Sequence, residues 1–437
     1  MLSNAWKYIP GDEFCLKVTD GTHDSPKQSE HGKPLITSKH IKGDEIDFST
    51  AYLISEQDFH EINKRSKVDQ WDVIISMIGA YCGFCFIECN EEIDYAVKNV
   101  GLFKAGSEVN AKWLYYYLNS SIGRAHLDAA KSGSTQPYIA LGALRNLPIL
   151  VPTNNDVKKN IVGILDAIDS KIRVNNRINA ELEAMAKTLY DYWFVQFDFP
   201  NANGKPYKTS GGKMVYNPTL KREIPEGWEL VPIEYFADVI DPHPSHRAPR
   251  EVEIGFPFAG IGDIDEAGNI STSKARQIDE EFVLKQERDY EIGEYSLGYG
   301  RVGTVGKVVR LKKQKFRYAL SPTLSVINPK KPEYAGYVYT VVKSDEFYKH
   351  VIKNTSGTTR PAVGIQLLRK IPVLKPGSAH NNMFEKYEEI TKELFEKSSI
   401  ANQENQNLIE LRDWLLPMLM NGQVTVNSVT QPTAKEA

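Results

Sequence analysis

The sequence predicts an α+β chain in which two duplicated heads of mixed helix and strand are separated by two long antiparallel coiled-coil helices, related by an internal pseudo-two-fold. Three observations predict it. The 437 residues exceed one ordinary core. The segment SGSTQPYIALGALRNLPILVP from Ser132 is echoed without a gap by SGTTRPAVGIQLLRKIPVLKP from Ser356. Short β-like runs precede each copy, and a long apolar stripe of helical period follows it.

Adding 224 to a residue number in the first box gives its partner in the second: Gly133 meets Gly357, Pro137 meets Pro361, and Leu144-Arg145 meets Leu368-Arg369. Fainter echoes lie upstream, between the segments around Trp6 and Trp228 and between those from Pro34 and Pro257. The period is far too long for a solenoid. What repeats is a head followed by a helix.

The elements follow in order. The first head, residues 1–153, holds short runs such as WDVIISMIG, punctuated by Gly and Pro, with helical pieces near its end. A helix is expected over 154–198, where Ile161, Ile164, Ile168, Ile172, Ile178, Leu182, Met185 and Leu189 recur at spacings of three, four or their sums. Residues 199–226 read as a connector with hairpin-like turns at Asn203-Gly204 and Gly211-Gly212. The second head is 227–377, with the runs EYSLGYG and LSPTLSVI. A second helix over 378–423 carries Tyr387, Ile390, Leu394, Leu408, Leu411, Leu415 and Met418 and stops at Asn421-Gly422. The tail, 424–437, reads as disordered.

Helices of ~40 residues would each be ~60 Å long and need a partner for their stripe; each other is the obvious one. The pairing residues expected are Ile168, Asn175, Ile178, Leu182, Met185 and Leu189 with Leu394, Asn405, Leu408, Leu411 and Leu415. Asn175 and Asn405 fall on the seam, where a buried Asn fixes register at a cost in stability. The alternative is that these polar stretches mark a bend or a solvated face.

Composition sets limits. Hydrophobic content of 41% and charged content of 25% describe an ordinary globular chain. A net charge of −3 excludes a globally basic surface, so a nucleic-acid partner would have to be met by local patches. No window reaches the ~20 apolar residues of a membrane helix, and MLSNAWKYIPGDEF lacks the pattern of a signal peptide. Cytoplasm is the expected location, with no membrane partner. Cys82, Cys85 and Cys89 suggest either a metal knuckle or a buried strand; the second half of a zinc pair is missing, so no metal is expected.

GYGRVGTVGKVV, from Gly298, has the letters of a phosphate-cradling loop. A dinucleotide site would need a helix opening at its third glycine. Here the glycines lead into VGKVVRL, which is β-branched, so a tight turn between strands is expected. Neither H-R-D nor D-F-G occurs to support a kinase. No Walker lysine motif, S-adenosylmethionine loop or N-P-P-Y motif is present either.

Head, helix, head, helix, with Asp20-Gly21-Thr22-His23, the paired L-R-x-[IL]-P segments, IPEGW opening the second head and LRDWLLPMLMNGQV near the end, resembles the specificity subunit of Type I restriction–modification systems. The resemblance covers essentially the full length. Asp241-Pro242-His243 stands in the second head where the first has D-G-T-H, which departs from the pattern. The resemblance implies that each head is a target-recognition domain reading half of a split duplex DNA sequence. It implies helices that act as a spacer and dock two methyltransferase subunits, with restriction/translocase subunits joining that core. The chain itself would do no chemistry and hold no cofactor; S-adenosylmethionine, ATP and magnesium would belong to the partner subunits.

Residues suited to DNA in loop contexts are Thr22, His23, Lys39 and His40 in the first head. The second offers His243, Ser245, His246 and Arg247, then Tyr299 and Arg301 in the glycine-rich turn, and Lys312 and Lys313 in the basic run RLKKQKFR. The boxes offer Ser134, Thr135 and Gln136, and Thr358, Thr359 and Arg360. Such side chains serve base edges and phosphates, and equally serve turns and solvated surfaces. Near-identity between the two boxes favours phosphate contact or fold maintenance over reading different half-sites. Two other function classes compete. One is an enzyme with an active site in the glycine-rich or cysteine-rich turns; the other is a scaffold whose heads grip proteins.

Overall fold

The structure is a computed structural model and describes residues 5–43, 45–245, 247–265, 267–272, 274–355, 361–380 and 382–424. His246, Thr358, Thr359 and Arg360, and the tail from 425 onward, lie outside the described residues. Contacts divide the chain into two units: 1–173 with 406–437, and 174–405. Each unit holds one head and part of both long helices. Mixed helix and strand is what the sequence predicts, and it is what forms.

The first head runs β1 (Trp6–Pro10), β2 (Lys17–Asp20), β3 (Lys33–Thr37), β4 (Leu53–Ile54), α1 (Glu56–Ser66), β5 (Asp72–Ser76), β6 (Cys85–Ile87), β7 (Ala96–Lys98) and β8 (Val100–Lys104). It continues through α2 (Glu108–Asn119), α3 (Ser121–Ala130), α4 (Leu141–Arg145) and β9 (Pro148–Pro152) into the long α5 (Asn155–Tyr190). Four sheets result: β1-β9, β2-β8-β5-β6, β4-β3-β7 and a short hairpin of Lys131–Ser132 with Tyr138–Ile139. All pairings are antiparallel except β3 with β7. Every residue of β5, DVIIS, is buried, as an interior strand covered on both faces requires.

The second head repeats this order: β10 (Glu229–Pro232), β11 (Ala237–Ile240), β12 (Phe256–Ala259), β13 (Arg276–Ile278), α6 (Glu280–Asp289), β14 (Leu297–Gly300), β15 (Val308–Arg310), β16 (Ala319–Leu320) and β17 (Leu324–Pro329). Then come α7 (Ala335–Lys343), α8 (Asp345–Lys353), α9 (Ile365–Lys370), β18 (Pro372–Lys375) and the long α10 (Met383–Met420). Its sheets are β10-β18, β11-β17-β14-β15 and β13-β12-β16, again with one parallel pair, β12 with β16. The repeat seen as letters is a repeat of topology.

The shared letters have structural work to do. Leu144 and Leu368 are wholly buried, and the arginine after each reaches back to the first strand of the main sheet. Arg145 Nε donates to the Val18 carbonyl at 3.2 Å, and Arg369 Nε to that of Val239 at 2.9 Å. Trp113 Nε1 donates to the Leu150 carbonyl, and at the equivalent place Tyr337 Oη donates to Leu374. Ser120 and Ser344 cap α3 and α8 by accepting the N–H three residues on. At the first of these junctions a Cβ on Gly123 would sit 1.9 Å from the Tyr117 carbonyl oxygen, so only glycine lets α2 and α3 meet there.

In the second unit α5 and α10 pair antiparallel. Asn175 Nδ2 donates to Asn405 Oδ1 at 3.0 Å and to Glu404 Oε2 at 2.8 Å, Asn405 Nδ2 donates to Asn176 Oδ1, and Asn179 meets Asn402. In the first unit Ile161, Val162 and Leu165 share a core with Leu416, Leu419 and Met420, and Arg412 binds Asp169 at 3.0 Å. Asn175 and Asn405 are thus buried on the seam rather than at a bend.

The expected seam needs correction. Ile168 is buried, and Leu182, Leu189, Leu394, Leu408 and Leu415 are half-buried, but Ile178, Met185 and Leu411 are exposed. The seam passes one residue to the side, through Asn179, Ala186 and Arg412. Alanines at 186 and 401 are buried where the larger neighbours are not, because small side chains let helices approach.

Past Tyr190 the helix widens into a π turn, Asp191–Val195. Trp193, Phe194, Phe197 and Phe199 then enter an aromatic core with Trp228, Phe236, Tyr337 and Tyr387. The connector supplies a two-stranded hairpin, Met214–Asn217 with Arg222–Pro225. Among the described residues no helix is long and apolar enough to cross a membrane.

Candidate nucleic-acid interface

The glycine-rich stretch is settled by strand pairing. β14 and β15 are antiparallel, and Gly303 and Gly306 turn the chain between them at φ 77° and 92°. No helix opens at the third glycine. Head one makes the matching turn with Gly79 and Gly83, at φ 84° and 94°. These conformations suit glycine.

In head one this turn carries the box that precedes the long helix, and in head two it carries the described end of the corresponding box, Pro361 to Val363. Gly79 N–H donates to the Pro137 carbonyl at 2.9 Å, and Gly303 N–H to that of Pro361 at 3.0 Å. Ile139 N–H bonds Met77 O, and Val363 N–H bonds Arg301 O, each at 2.9 Å. Ser134, Thr135 and Gln136 therefore stand exposed at the tip of a hairpin, Lys131–Ser132 with Tyr138–Ile139, leaning on the turn.

Three sequence-distant segments of head one meet beside it. β2, β3, β5 and β7 all end here. Thr22 N–H bonds the Val97 carbonyl, Asn99 N–H bonds that of Thr22, Ser38 Oγ donates to the Asn99 carbonyl, and Met77 N–H donates to Ser38 Oγ. The D-G-T-H segment, the T-S-K-H segment and the box thus share one rim. The sequence missed Lys98, Asn99 and the exposed Tyr138 on it. Their position depends on a parallel β3–β7 pairing across about sixty residues, which no local pattern announces.

Not every expected residue faces out. His23 and Lys39 are exposed, but Thr22 is buried and accepts the Asp24 N–H. His40 is wholly buried: its Nδ1 accepts the Thr37 N–H at 2.9 Å and closes the turn Ser38–His40. Burial, and then Lys39, push the His40 pKa down. His40 is a corrected assignment, since a ring closing a turn inside the fold cannot reach a groove.

In head two the same rim is built from the ends of β11, β12, β14 and β16. Arg301 and Val302 N–H groups bond the Thr323 carbonyl, Ile261 N–H bonds Thr323 Oγ1, and Ser321 Oγ lies 2.7 Å from it. Ser245 and Arg247 are exposed; His243 is buried, its Nε2 donating to the Arg247 carbonyl at 2.7 Å. Tyr299 and Arg301 are corrections too. Tyr299 is interior to the sheet against Phe347, and Arg301 Nη2 donates to Asp241 Oδ2 at 2.6 Å with both side chains almost fully buried. All four residues of β14 are buried, and Arg301 follows directly at its end, so neither side chain faces solvent. In the basic run Lys313 is exposed beside Glu291, and Lys312 is half-buried.

Three of the four cysteines pack as core, and Cys89 is exposed. Cys15, Cys82 and Cys85 are buried, and burial pushes the Cys15 thiol up to about 12 and that of Cys85 up to about 11. Cys85 Sγ accepts from Asn119 Nδ2 at 3.4 Å. Among the described residues no three His, Cys, Asp or Glu side chains gather as metal ligands.

Residues 12–184 match the family described as Type I restriction modification DNA specificity domain. The Type I restriction enzyme MjaIX specificity subunit of Methanocaldococcus jannaschii is 26% identical over 329 residues, covering 74% of this chain and 71% of that protein. The HindI specificity subunit of Haemophilus influenzae is 22% identical over 344 residues, covering 68% of this chain and 73% of that one. The crystal structure of a Type I restriction–modification S subunit from M. genitalium covers 96% of this chain and 97% of its own, at 14% identity and a TM-score of 0.49. The resemblance drawn from the duplicated sequence is borne out: residues 12–184 match the Type I restriction modification DNA specificity domain, and the chain is similar to Type I specificity subunits.

Proposed function

We propose that this chain, whose residues 12–184 match the Type I restriction modification DNA specificity domain, is the non-catalytic subunit that reads a bipartite duplex target. Recognition domains over 1–153 and 227–377 each read one half, through the rim where their strands end. The paired spacer helices, 154–198 and 378–423, set the gap between half-sites, and with a pseudo-two-fold relation they dock two methyltransferase subunits. Restriction/translocase subunits complete the complex; S-adenosylmethionine, ATP and magnesium act in those partners, in the cytoplasm.

One observation carries the reading: two heads of the same topology place polar side chains from sequence-distant segments on equivalent rims. A single head contacts only a few base pairs, and two in fixed spacing multiply specificity. The major groove distinguishes all four base pairs, so exposed Arg, Lys, His, Ser, Thr and Gln on such rims are suited to it. The methylated base is flipped into the partner's pocket, which needs no chemistry from the heads.

The test is a base-resolution methylation map of DNA from cells expressing the chain with its cognate methyltransferase, against cells lacking the chain. The expected result is a split motif of fixed gap that needs the chain. Identical maps with a competent methyltransferase would overturn the reading and leave a protein-gripping scaffold.

A further inference from the structure

Asp20, at the end of β2, is a carboxylate with only 5% of its side chain exposed, set in the reading rim of head one. Its two oxygens hold two side chains. Oδ1 accepts from Arg65 Nη2 at 2.5 Å, and Oδ2 lies 2.9 Å from His23 Nε2. The far side of the His23 ring meets Asn99 Oδ1 at 3.1 Å, so the ring is braced between the ends of β2 and β7. Arg65, in the last turn of α1, is 59% exposed, and Asp20 is its one hydrogen-bond partner among the described residues.

An ordinary surface ion pair has two mobile, solvated ends and contributes little. Here one end is locked in the fold and the other projects from it. That contact tethers one nitrogen of the guanidinium, narrows the positions it can take before any ligand arrives, and leaves its other N–H groups free to donate outward. Bidentate readout of the two acceptors on a guanine edge needs the planar fork of an arginine, whereas a phosphate needs only charge.

The topologically equivalent carboxylate of head two, Asp241, also holds an arginine, but Arg301 is only 5% exposed and faces inward. The two heads therefore share the anchor and differ in what it presents, as two different half-sites require.

We propose that Arg65 is a specificity-determining residue of head one that reads a guanine in its half-site, with Asp20 as its positioning residue. The inference rests on the proposed function and deepens it. Arg65→Ala, Arg65→Lys and Asp20→Asn chains are each expressed with the methyltransferase and mapped at base resolution beside the unaltered chain. Arg65 is exposed, so its variants fold whether or not Asp20→Asn does.

Both Arg65 variants are expected to relax the same single position in one half-site, with preference for its guanine falling roughly tenfold or more. The other half and the gap stay unchanged, and Asp20→Asn relaxes that same position. An unchanged motif in Arg65→Ala overturns the proposal, whether or not the methylation level falls. So does full rescue by lysine, which marks a phosphate contact. Failure of the broader reading would show separately, as loss of chain dependence in the unaltered control.

Discussion

Replacing Arg301 by methionine should destabilise the second unit far more than the same change at Arg65. Arg301 and Asp241 meet at 2.6 Å with 5% and 11% of their side chains exposed. Methionine fills much of the volume but leaves the Asp241 carboxylate in the interior without its cation. Breaking a buried pair from one side costs about 3–5 kcal/mol, since the orphaned charge keeps its desolvation penalty. For a unit of this size each kcal/mol lowers Tm by about 2–4 °C, so a fall of roughly 6–20 °C is expected. Arg65→Met also takes a partner from a buried carboxylate, but Arg65 is itself 59% exposed, so water reaches Asp20 where the guanidinium leaves and His23 stays at 2.9 Å; the cost should be smaller, about 1–2 kcal/mol. The double variant Asp241→Asn with Arg301→Met keeps an acceptor for the His243 N–H, which now bonds Asp241 Oδ1, and removes both charges; it should recover at least half of the loss. Thermal and urea denaturation of the three variants measures these differences. A cost below about 1 kcal/mol for Arg301→Met, or a double variant no better than the single, would refute the argument that burial decides the weight of this pair.

Asn175→Ala removes the donor to Asn405 Oδ1 and should cost about 1–3 kcal/mol, whereas changing Asn175 and Asn405 together to leucine should be far milder; urea midpoints separate the two. At Gly336 an added Cβ would lie 2.1 Å from Thr391 Oγ1 in the packing of α7 on α10, so Gly336→Ala should cost about 1–3 kcal/mol, and Thr391→Ala in the same chain should restore part of it. A thiol reagent should find one fast-reacting cysteine, the exposed Cys89, in the native protein and all four in denaturant. Two or more fast thiols would show that the cysteine strand is not packed as described.

Much of the candidate rim was legible in the letters, for a chemical reason. Polar residues between short apolar runs mark the ends of strands, so Thr22, His23, Lys39 and Gln136 were found in loops without knowing the sheets. Which way each side chain points was not legible. Tyr299 and His40 look as available in the sequence as Lys39, and are interior because a strand and a closed turn face them inward. Arg65 escaped notice because its importance comes from Asp20, forty-five residues away and joined to it only in the fold.

By itself the sequence determined the mixed class, the duplication, the helical stripes and the dismissal of the glycine-rich loop. Periodicity, β-branching and self-similarity are local properties or direct comparisons of letters, and they survive without coordinates. Tertiary structure alone decided that the repeat is one of sheet topology, that the helix seam runs through Asn179 and Ala186 rather than Ile178 and Met185, and that one buried aspartate presents its arginine while its counterpart hides one. Those outcomes depend on which surfaces exclude water from which, and that is settled only when strands distant in the chain lie side by side.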